Sequence, residues 1–263
     1  MYEFNYHKPA SLADAAKLLG GEEAKLVAGG MTLVPTLKQR LAKPSDLVDL
    51  AAIGGLKGIK EEGGGLTIGA MTRHAEVQRS AEVKRVIPAL AALAGMIGDP
   101  AVRNRGTIGG SVSNNDPAAD YPAALVALGA TVVTTKREIG AEQFFTGMFE
   151  TALGQDEIVT AIKFPKPQVA NYQKFRNPAS RYAIVGVFVA KTVGGVRVAV
   201  TGAGPRVFRV PAMEAALAKS FSADAIKDIA IPDSGLNSDI HASAEYRAHL
   251  VNVMARRAVA ACA

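Results

Sequence analysis

The chain has 263 residues, 49% hydrophobic and 21% charged, an ordinary balance for a globular protein with room for two or three packed subdomains. Its net charge of +6 is spread out, with no Lys/Arg run and no basic stripe broken by aromatics, which argues against nucleic-acid binding. The single cysteine, Cys262, excludes an intrachain disulfide and cannot supply the four thiolates of a ferredoxin-type cluster. No stretch approaches the roughly 18 apolar residues of a membrane span, and Met1 to Gly20 carry no apolar signal core, so a cytoplasmic chain is expected.

In chain order, Tyr2 to Lys8 is expected as a strand ended by Pro9, and Ser11 caps a short helix that stops at Gly20-Gly21. Leu26 to Ala28 reads as a second strand and Met31 to Leu41 as a helix, with Leu33, Leu37 and Leu41 four positions apart. Asp46 to Leu50 is a third strand. This βαβ-like opening implies a small parallel sheet and a first subdomain over 1–54. Leu56 to Lys60 and Leu66 to Gly69 flank a glycine-rich turn as a hairpin. Thr72 is expected to cap a helix carrying His74, and a longer helix spans Pro88 to Ile97. A Gly/Asn-rich loop, Asn104 to Asp120, follows. Asp116 then serves as N-cap, with Pro117 in the first turn of a helix that runs to Leu128. Ala130 to Thr135 and Glu157 to Phe164 are strands, with Glu142 to Met148 a short helix between them, completing a second, α+β subdomain over 55–165. In the remaining unit, 166–263, Tyr172 to Arg176, Tyr182 to Thr192, Gly195 to Gly202 and Arg206 to Arg209 form an antiparallel meander. Helices at Pro211 to Lys219, Ala223 to Asp228 and Ser243 to Ala261 close the chain.

The informative stretches are two glycine pairs, Gly29-Gly30 and Gly109-Gly110. Each lets main chain come close to a ligand, and exposed N–H groups beside a helix start suit an anion such as a diphosphate. Asn114, Asn115, Asp116 and Asp120 add side chains that pair with hydroxyl groups. No metalloprotease, paired-cysteine or nucleophile-elbow motif is present, and no Walker A loop. His241 and His249, eight apart, read as surface positions. Gly202-Ala203-Gly204 begins like a dinucleotide fingerprint, but it lacks the third glycine and Pro205 suits a hairpin turn. No catalytic acid, base or metal ligand is therefore expected. Such a protein still runs redox chemistry when a cofactor brings it.

Ala28-Gly29-Gly30-Met31-Thr32-Leu33-Val34-Pro35, together with Arg105-Gly106-Thr107-Ile108-Gly109-Gly110 and Asp116-Pro117-Ala118-Ala119-Asp120, resembles the FAD-binding medium subunit of molybdenum hydroxylases. That group includes aerobic carbon monoxide dehydrogenase and the flavin segment of xanthine dehydrogenase. Tyr172 to Arg176, Arg181-Tyr182-Ala183 and Glu245 to Arg257 resemble the family's later segments, so the likeness covers nearly the whole chain. The resemblance implies an α+β, two-subdomain FAD-binding fold: a small parallel-sheet α/β subdomain, a larger mixed or antiparallel-sheet subdomain, then a C-terminal three-stranded antiparallel sheet with helices. It also implies which residues hold FAD. Leu26, Val27, Ala28, Gly29, Gly30, Met31, Thr32 and Leu33 would wrap the diphosphate and ADP part, and Thr107, Ile108, Gly109, Gly110 and Ser111 would form the second phosphate-facing loop. Asp120 would accept from cofactor hydroxyls, Ile97 and Val159 would pack on the cofactor, Lys174 would contact it, and Tyr182 would stand beside the flavin ring. Two departures are visible. Met31-Thr32 replaces the family's His-Ser or Thr-Asp, and Arg181 stands where an acidic residue is common.

The resemblance further implies an electron-transfer role beside a molybdopterin-binding large subunit and a [2Fe–2S] small subunit, in a dimer of heterotrimers. A stand-alone FAD oxidoreductase and an assembly subunit binding little flavin are the rival readings. Substrate and final acceptor are not legible in this chain.

Overall fold

A computed structural model describes residues 1–21 and 23–262. The chain opens with β1 (Asn5–His7), α1 (Leu12–Leu18), β2 (Lys25–Val27), α2 (Leu33–Lys38) and β3 (Asp46–Asp49). The strands pair in parallel in the order β1-β3-β2, with Tyr6 opposite Leu47 and Leu26 opposite Val48. Parallel neighbours need a crossover, and α1 and α2 supply it. Ser11 accepts the Asp14 N–H and so starts α1 as expected. The small core of this unit, built on Ala15, Leu19, Val48 and Leu50, also takes in Leu56, Met71 and Ile158 from the next unit.

The middle unit begins with the hairpin β4 (Ile59–Glu62) and β5 (Gly65–Gly69), followed by α3 (His74–Arg79), α4 (Ala81–Val86), α5 (Pro88–Gly95), α6 (Pro100–Arg103), α7 (Ile108–Asn114) and α8 (Tyr121–Leu128). Then come β6 (Thr131–Thr134), β7 (Glu138–Gly140), α9 (Ala141–Phe144), β8 (Phe145–Gly147), β9 (Glu150–Thr151) and β10 (Val159–Pro165). Five strands make an antiparallel sheet in the order β4-β5-β10-β6-β7. Every residue of α8 is buried, as an all-round apolar helix must be.

Several local expectations need correcting here. Thr72 does not cap α3; its Oγ1 accepts the Gly58 N–H and donates to Gly58 O, pinning the hairpin instead. The helix expected from Pro117 begins at Tyr121, because Asp116 Oδ1 accepts the Ala118 N–H and closes a turn first. The helix expected over 142–148 ends at Phe144, and Phe145–Gly147 becomes a strand paired with Glu150–Thr151. The loop expected over 104–120 contains a helix, α7, started by Thr107, whose Oγ1 accepts the Gly110 N–H at 3.2 Å.

The last unit holds β11 (Val169–Arg176), β12 (Ala183–Thr192), β13 (Gly195–Thr201) and β14 (Phe208–Arg209), then α10 (Pro211–Lys219) and α11 (Ala244–Ala260). The antiparallel sheet runs β11-β12-β13-β14: the fourth expected meander segment, Arg206 to Arg209, adds a two-residue strand to the three-stranded sheet. The expected helix over 223–228 is a short 3-10 turn, Ala223–Ile226. Strand β12 is buried on both faces. Phe188 and Ala190 join the middle core, while Val185, Val187 and Val189 join the core beneath α10 and α11. His241 and His249 are exposed, as expected.

Glu157, at the turn into β10, accepts two hydrogen bonds from Arg137, one from Thr134 and one from the Gly154 N–H. The Arg137 bonds outweigh burial and hold its carboxyl down, from an ordinary 4.5 to about 2. A depressed carboxyl stabilises the fold above its unfolded value and loses that contribution as pH falls toward its folded value. The melting-temperature gap between wild type and Glu157→Gln should thus be widest above pH 4.5 and narrow as pH drops toward 2; a gap that stays constant with pH would refute the assignment.

Candidate functional site

Between the first two units lies a cavity of about 640 Å³, walled by the turn after β2, the start of α7, the end of α5 and the turn before β10. The turn after β2 touches the segment before α7 directly. A Cβ on Gly29 would stand 2.3 Å from Arg105 O and 2.8 Å from the Gly106 Cα, so only glycine lets the two backbones meet. Gly30 follows at φ +72°, in the left-handed region, and turns the chain back toward the cavity. Gly110 lies near this turn as well, its added Cβ 3.5 Å from that of Ala28.

The hydrogen bonds divide the two loops by role. Among the described residues, the N–H groups of Gly29, Gly30, Met31, Thr32 and Leu33 donate to no protein acceptor, and all five residues line the cavity. Consecutive unpartnered N–H groups around a left-handed residue form an anion-binding concavity. The second glycine pair behaves differently. Ile108 N–H donates to Thr72 O, Gly109 N–H to Ala70 O, Gly110 N–H to Thr107 Oγ1 and Ser111 N–H to Thr107 O. The sequence reading of Gly109 and Gly110 as bare donors is thereby corrected: the Ile108 and Gly109 N–H groups dock α7 onto the segment after β5, and that of Gly110 closes the helix cap. What this segment turns toward the cavity are side chains, Ser111 and Asn114 among them, which have no protein partner among the described residues.

Leu26, Ala28, Ile97, Thr107, Asp120, Val159 and Tyr182 also line the cavity. Three expected residues do not. Val27 stays in β2, Ile108 is fully buried in the middle core, and Lys174 lies behind the wall, donating to Asp120 at 2.9 Å and to Met96 O at 3.2 Å. Asn115, read as a hydroxyl partner, instead ends α7 at φ +43° and donates to Gly147 O and Glu150 O, holding the β8–β9 hairpin. Asp116 lines the cavity, and burial pushes its carboxyl up. Tyr182 is 47% exposed at the rim, its hydroxyl pushed up by burial and then by Asp116 and Asp120. The sequence reading missed His74, Phe149 and Glu157 as lining residues. His74 is buried with Nδ1 unpartnered, and desolvation, then Arg103, lowers its pKa to about 4, so it is neutral at neutral pH. Phe149 sits at φ +55° at a hairpin tip, a placement with no local sequence signal.

A row of unpartnered donors, a carboxylate on the wall and a cavity with polar and apolar lining fit a cofactor with a diphosphate, hydroxyls and a flat ring. Among the described residues no group of three or more His, Cys, Asp or Glu side chains stands ready for a metal ion, and no helix is long and apolar enough to cross a membrane. The loop contact gives a direct test. Gly29→Ala should lower the melting temperature, whereas Gly54→Ala, with nothing within 4 Å of its new Cβ, should leave it unchanged; equal effects would show that the close approach is not required.

Known proteins match this chain along nearly its whole length. The family model described as the FAD binding domain in molybdopterin dehydrogenase matches residues 2–167, and the CO dehydrogenase flavoprotein C-terminal domain matches residues 170–262. The nicotine 6-hydroxylase medium subunit of Paenarthrobacter nicotinovorans is 36% identical, over 97% of this chain and 95% of that one. The carbon monoxide dehydrogenase medium chain of Hydrogenophaga pseudoflava is 35% identical, over 97% of this chain and 96% of that one. In the solved structure of carbon monoxide dehydrogenase from Hydrogenophaga pseudoflava lacking the Mo-pyranopterin moiety, one chain superposes with a TM-score of 0.90 at 36% identity, covering 99% of this chain and 97% of that one. This chain belongs to the FAD-binding subunits of molybdenum hydroxylases, the oxidoreductase family of carbon monoxide dehydrogenase and xanthine dehydrogenase.

Proposed function

We propose that this chain is the FAD-carrying electron-transfer subunit of a molybdenum hydroxylase complex. It would take electrons from a partner's iron–sulfur clusters and pass them to an external acceptor. The observation that carries the reading is the run of N–H groups from Gly29 to Leu33, unpartnered among the described residues, on residues that line a cavity also lined by Asp120. Those N–H groups would hold the diphosphate. Thr107, Ser111 and Asn114 offer side-chain hydrogen bonds to the rest of the cofactor, and Asp120 an acceptor for its hydroxyls. Ile97 and Val159 supply apolar surface, and Tyr182 stands at the rim where it can screen a ring from water. When bound, FAD supplies reversible two-electron redox chemistry. The protein's part is to bind, orient and shield, and no side chain of this chain is assigned as a proton-transfer catalyst.

The single cysteine leaves this chain without the thiolates of a cluster, so the clusters must lie on a partner. A molybdopterin-binding large subunit and a [2Fe–2S] small subunit fit that need, assembled as a dimer of heterotrimers in the cytoplasm. We take the chain as three units, 1–54, 55–165 and 166–263, with the cofactor between the first two.

A tagged copy expressed in its native host should carry stoichiometric FAD and bring down two further subunits containing molybdenum, iron and labile sulfide. FAD in the chain should become reduced when the complex receives its substrate, and only when the iron–sulfur subunit is present. A lone chain that turns over a small substrate on its own FAD would sink the electron-transfer reading. Replacing Gly30 by alanine strains a left-handed position and should weaken FAD binding by about tenfold or more, roughly 1.4 kcal/mol, measured by fluorescence titration.

A further inference from the structure

Among the described residues most charged side chains lie at the surface, but both members of one ion pair are enclosed. Asp120 is 5% exposed and the Lys174 side chain 2%, with Nζ 2.9 Å from Oδ2. The other carboxylate oxygen, Oδ1, accepts the Tyr172 hydroxyl at 2.5 Å. Lys174 Nζ also donates to Met96 O, at the end of α5 and one residue before Ile97. Asp120 and Ile97 face the cavity, whereas Lys174 and Tyr172 do not. Tyr172 and Lys174 are two apart on β11 and therefore share a face of the strand. Tyr172 has a fixed place: a Cβ on Gly186 of β12 would lie 2.1 Å from its hydroxyl oxygen. The C-terminal sheet thus reaches behind the cavity wall with two hydrogen-bond donors aimed at a single carboxylate.

Enclosing an ion pair takes both charges out of water, and a lone buried carboxylate protonates instead. We propose that Lys174 and Tyr172 are positioning residues, through which the C-terminal sheet keeps Asp120 ionised and aimed at the hydroxyl groups of bound FAD. This rests on the FAD reading above, and it moves Lys174 from contact with the cofactor to action through Asp120. Lys174 also steadies Ile97 by way of Met96 O. The groups that face Asp120 are Tyr172 and Lys174 on β11, Tyr121 on α8 and, on the cavity side, Tyr182, which Asp116 also faces. Lys174 is the cation among them. Burial pushes the Asp120 carboxyl up, and the Lys174 charge opposes this first, followed by the Tyr172 and Lys174 hydrogen bonds.

The experiment is FAD titration of the deflavinated full-length chain in its native complex, followed by fluorescence across pH. Lys174→Met should weaken FAD binding by about tenfold at neutral pH, and the weakening should set in at higher pH than in wild type, because the unpaired carboxyl protonates sooner. Asp120→Asn should abolish that pH dependence, and Lys174→Met added to Asp120→Asn should cost little more, since both act on one interaction. Lys174→Arg should restore the wild-type pH profile. Tyr172→Phe, which removes a hydrogen bond and no charge, should give a smaller loss with the same non-additivity; it carries the test if Lys174→Met does not fold. Full additivity of Lys174→Met with Asp120→Asn, or wild-type affinity and pH profile in Lys174→Met, overturns the proposal while leaving the FAD site intact. A wild-type complex that takes up no FAD overturns both.

Discussion

The site depends on two stretches of main chain touching where neither carries a side chain. Gly29 meets Arg105 O and Gly106 Cα at distances no Cβ tolerates, and that contact joins the parallel-sheet unit to the middle unit beside the cavity. The core that Leu56, Met71 and Ile158 share with the parallel-sheet unit joins them as well. The N–H groups from Gly29 to Leu33 remain unpartnered because the chain turns at Gly30 before α2 begins to bond at Val34. On the other side, Thr107 and the docking of Gly109 on Ala70 use the α7 donors internally. The two loops therefore do unlike things. One offers donors, and the other supplies a rigid surface for the first to lean on.

Charge is distributed to match. Asp116 and Asp120 face the cavity from the segment between α7 and α8, and both carboxyls are pushed up by burial. Glu157, also a lining residue, is held down by Arg137 and fixes the turn that carries Leu153 and Gly154 by accepting the Gly154 N–H. Desolvation keeps His74 neutral beneath α7, where its ring stacks at a tilt 5.4 Å from Tyr121. The cavity wall is thus set by hydrogen bonds whose partners come from behind it, from β11, β6 and the loop after β6.

Much of this was legible in the sequence, and the reasons differ by element. The parallel opening was readable because Ser11, Pro44 and the short apolar strands punctuate it. The C-terminal meander was readable because a run such as Ala183 to Ala190 suits a strand buried on both faces. The glycine pair at 29–30 was readable as a close approach, although its partner, the backbone at Arg105, was not, since contact between distant main chain leaves no pattern of its own. Helix α7 was hidden because Gly109, Gly110 and Ser111 are poor helix formers, and tertiary docking onto Ala70 and Thr72, just after β5, overrides their propensity. The role of Asn115 was hidden for a similar reason: an asparagine at a left-handed helix end looks the same whether it serves a ligand or, as here, the hairpin at Gly147 and Glu150. The indirect placement of Lys174 follows from its burial against Asp120, which strand periodicity alone does not show.

Strand β12 lies between two cores, with Phe188 and Ala190 in one and Val185, Val187 and Val189 in the other. Helix α8, buried along its whole length, packs against β12 and β13 from the same side. The middle and C-terminal units therefore cannot part without exposing the middle core and the Phe188 and Ala190 face of β12 to water. They should unfold as one cooperative block, and the small parallel-sheet unit, whose core shares Leu56, Met71 and Ile158 with that block, should loosen ahead of it.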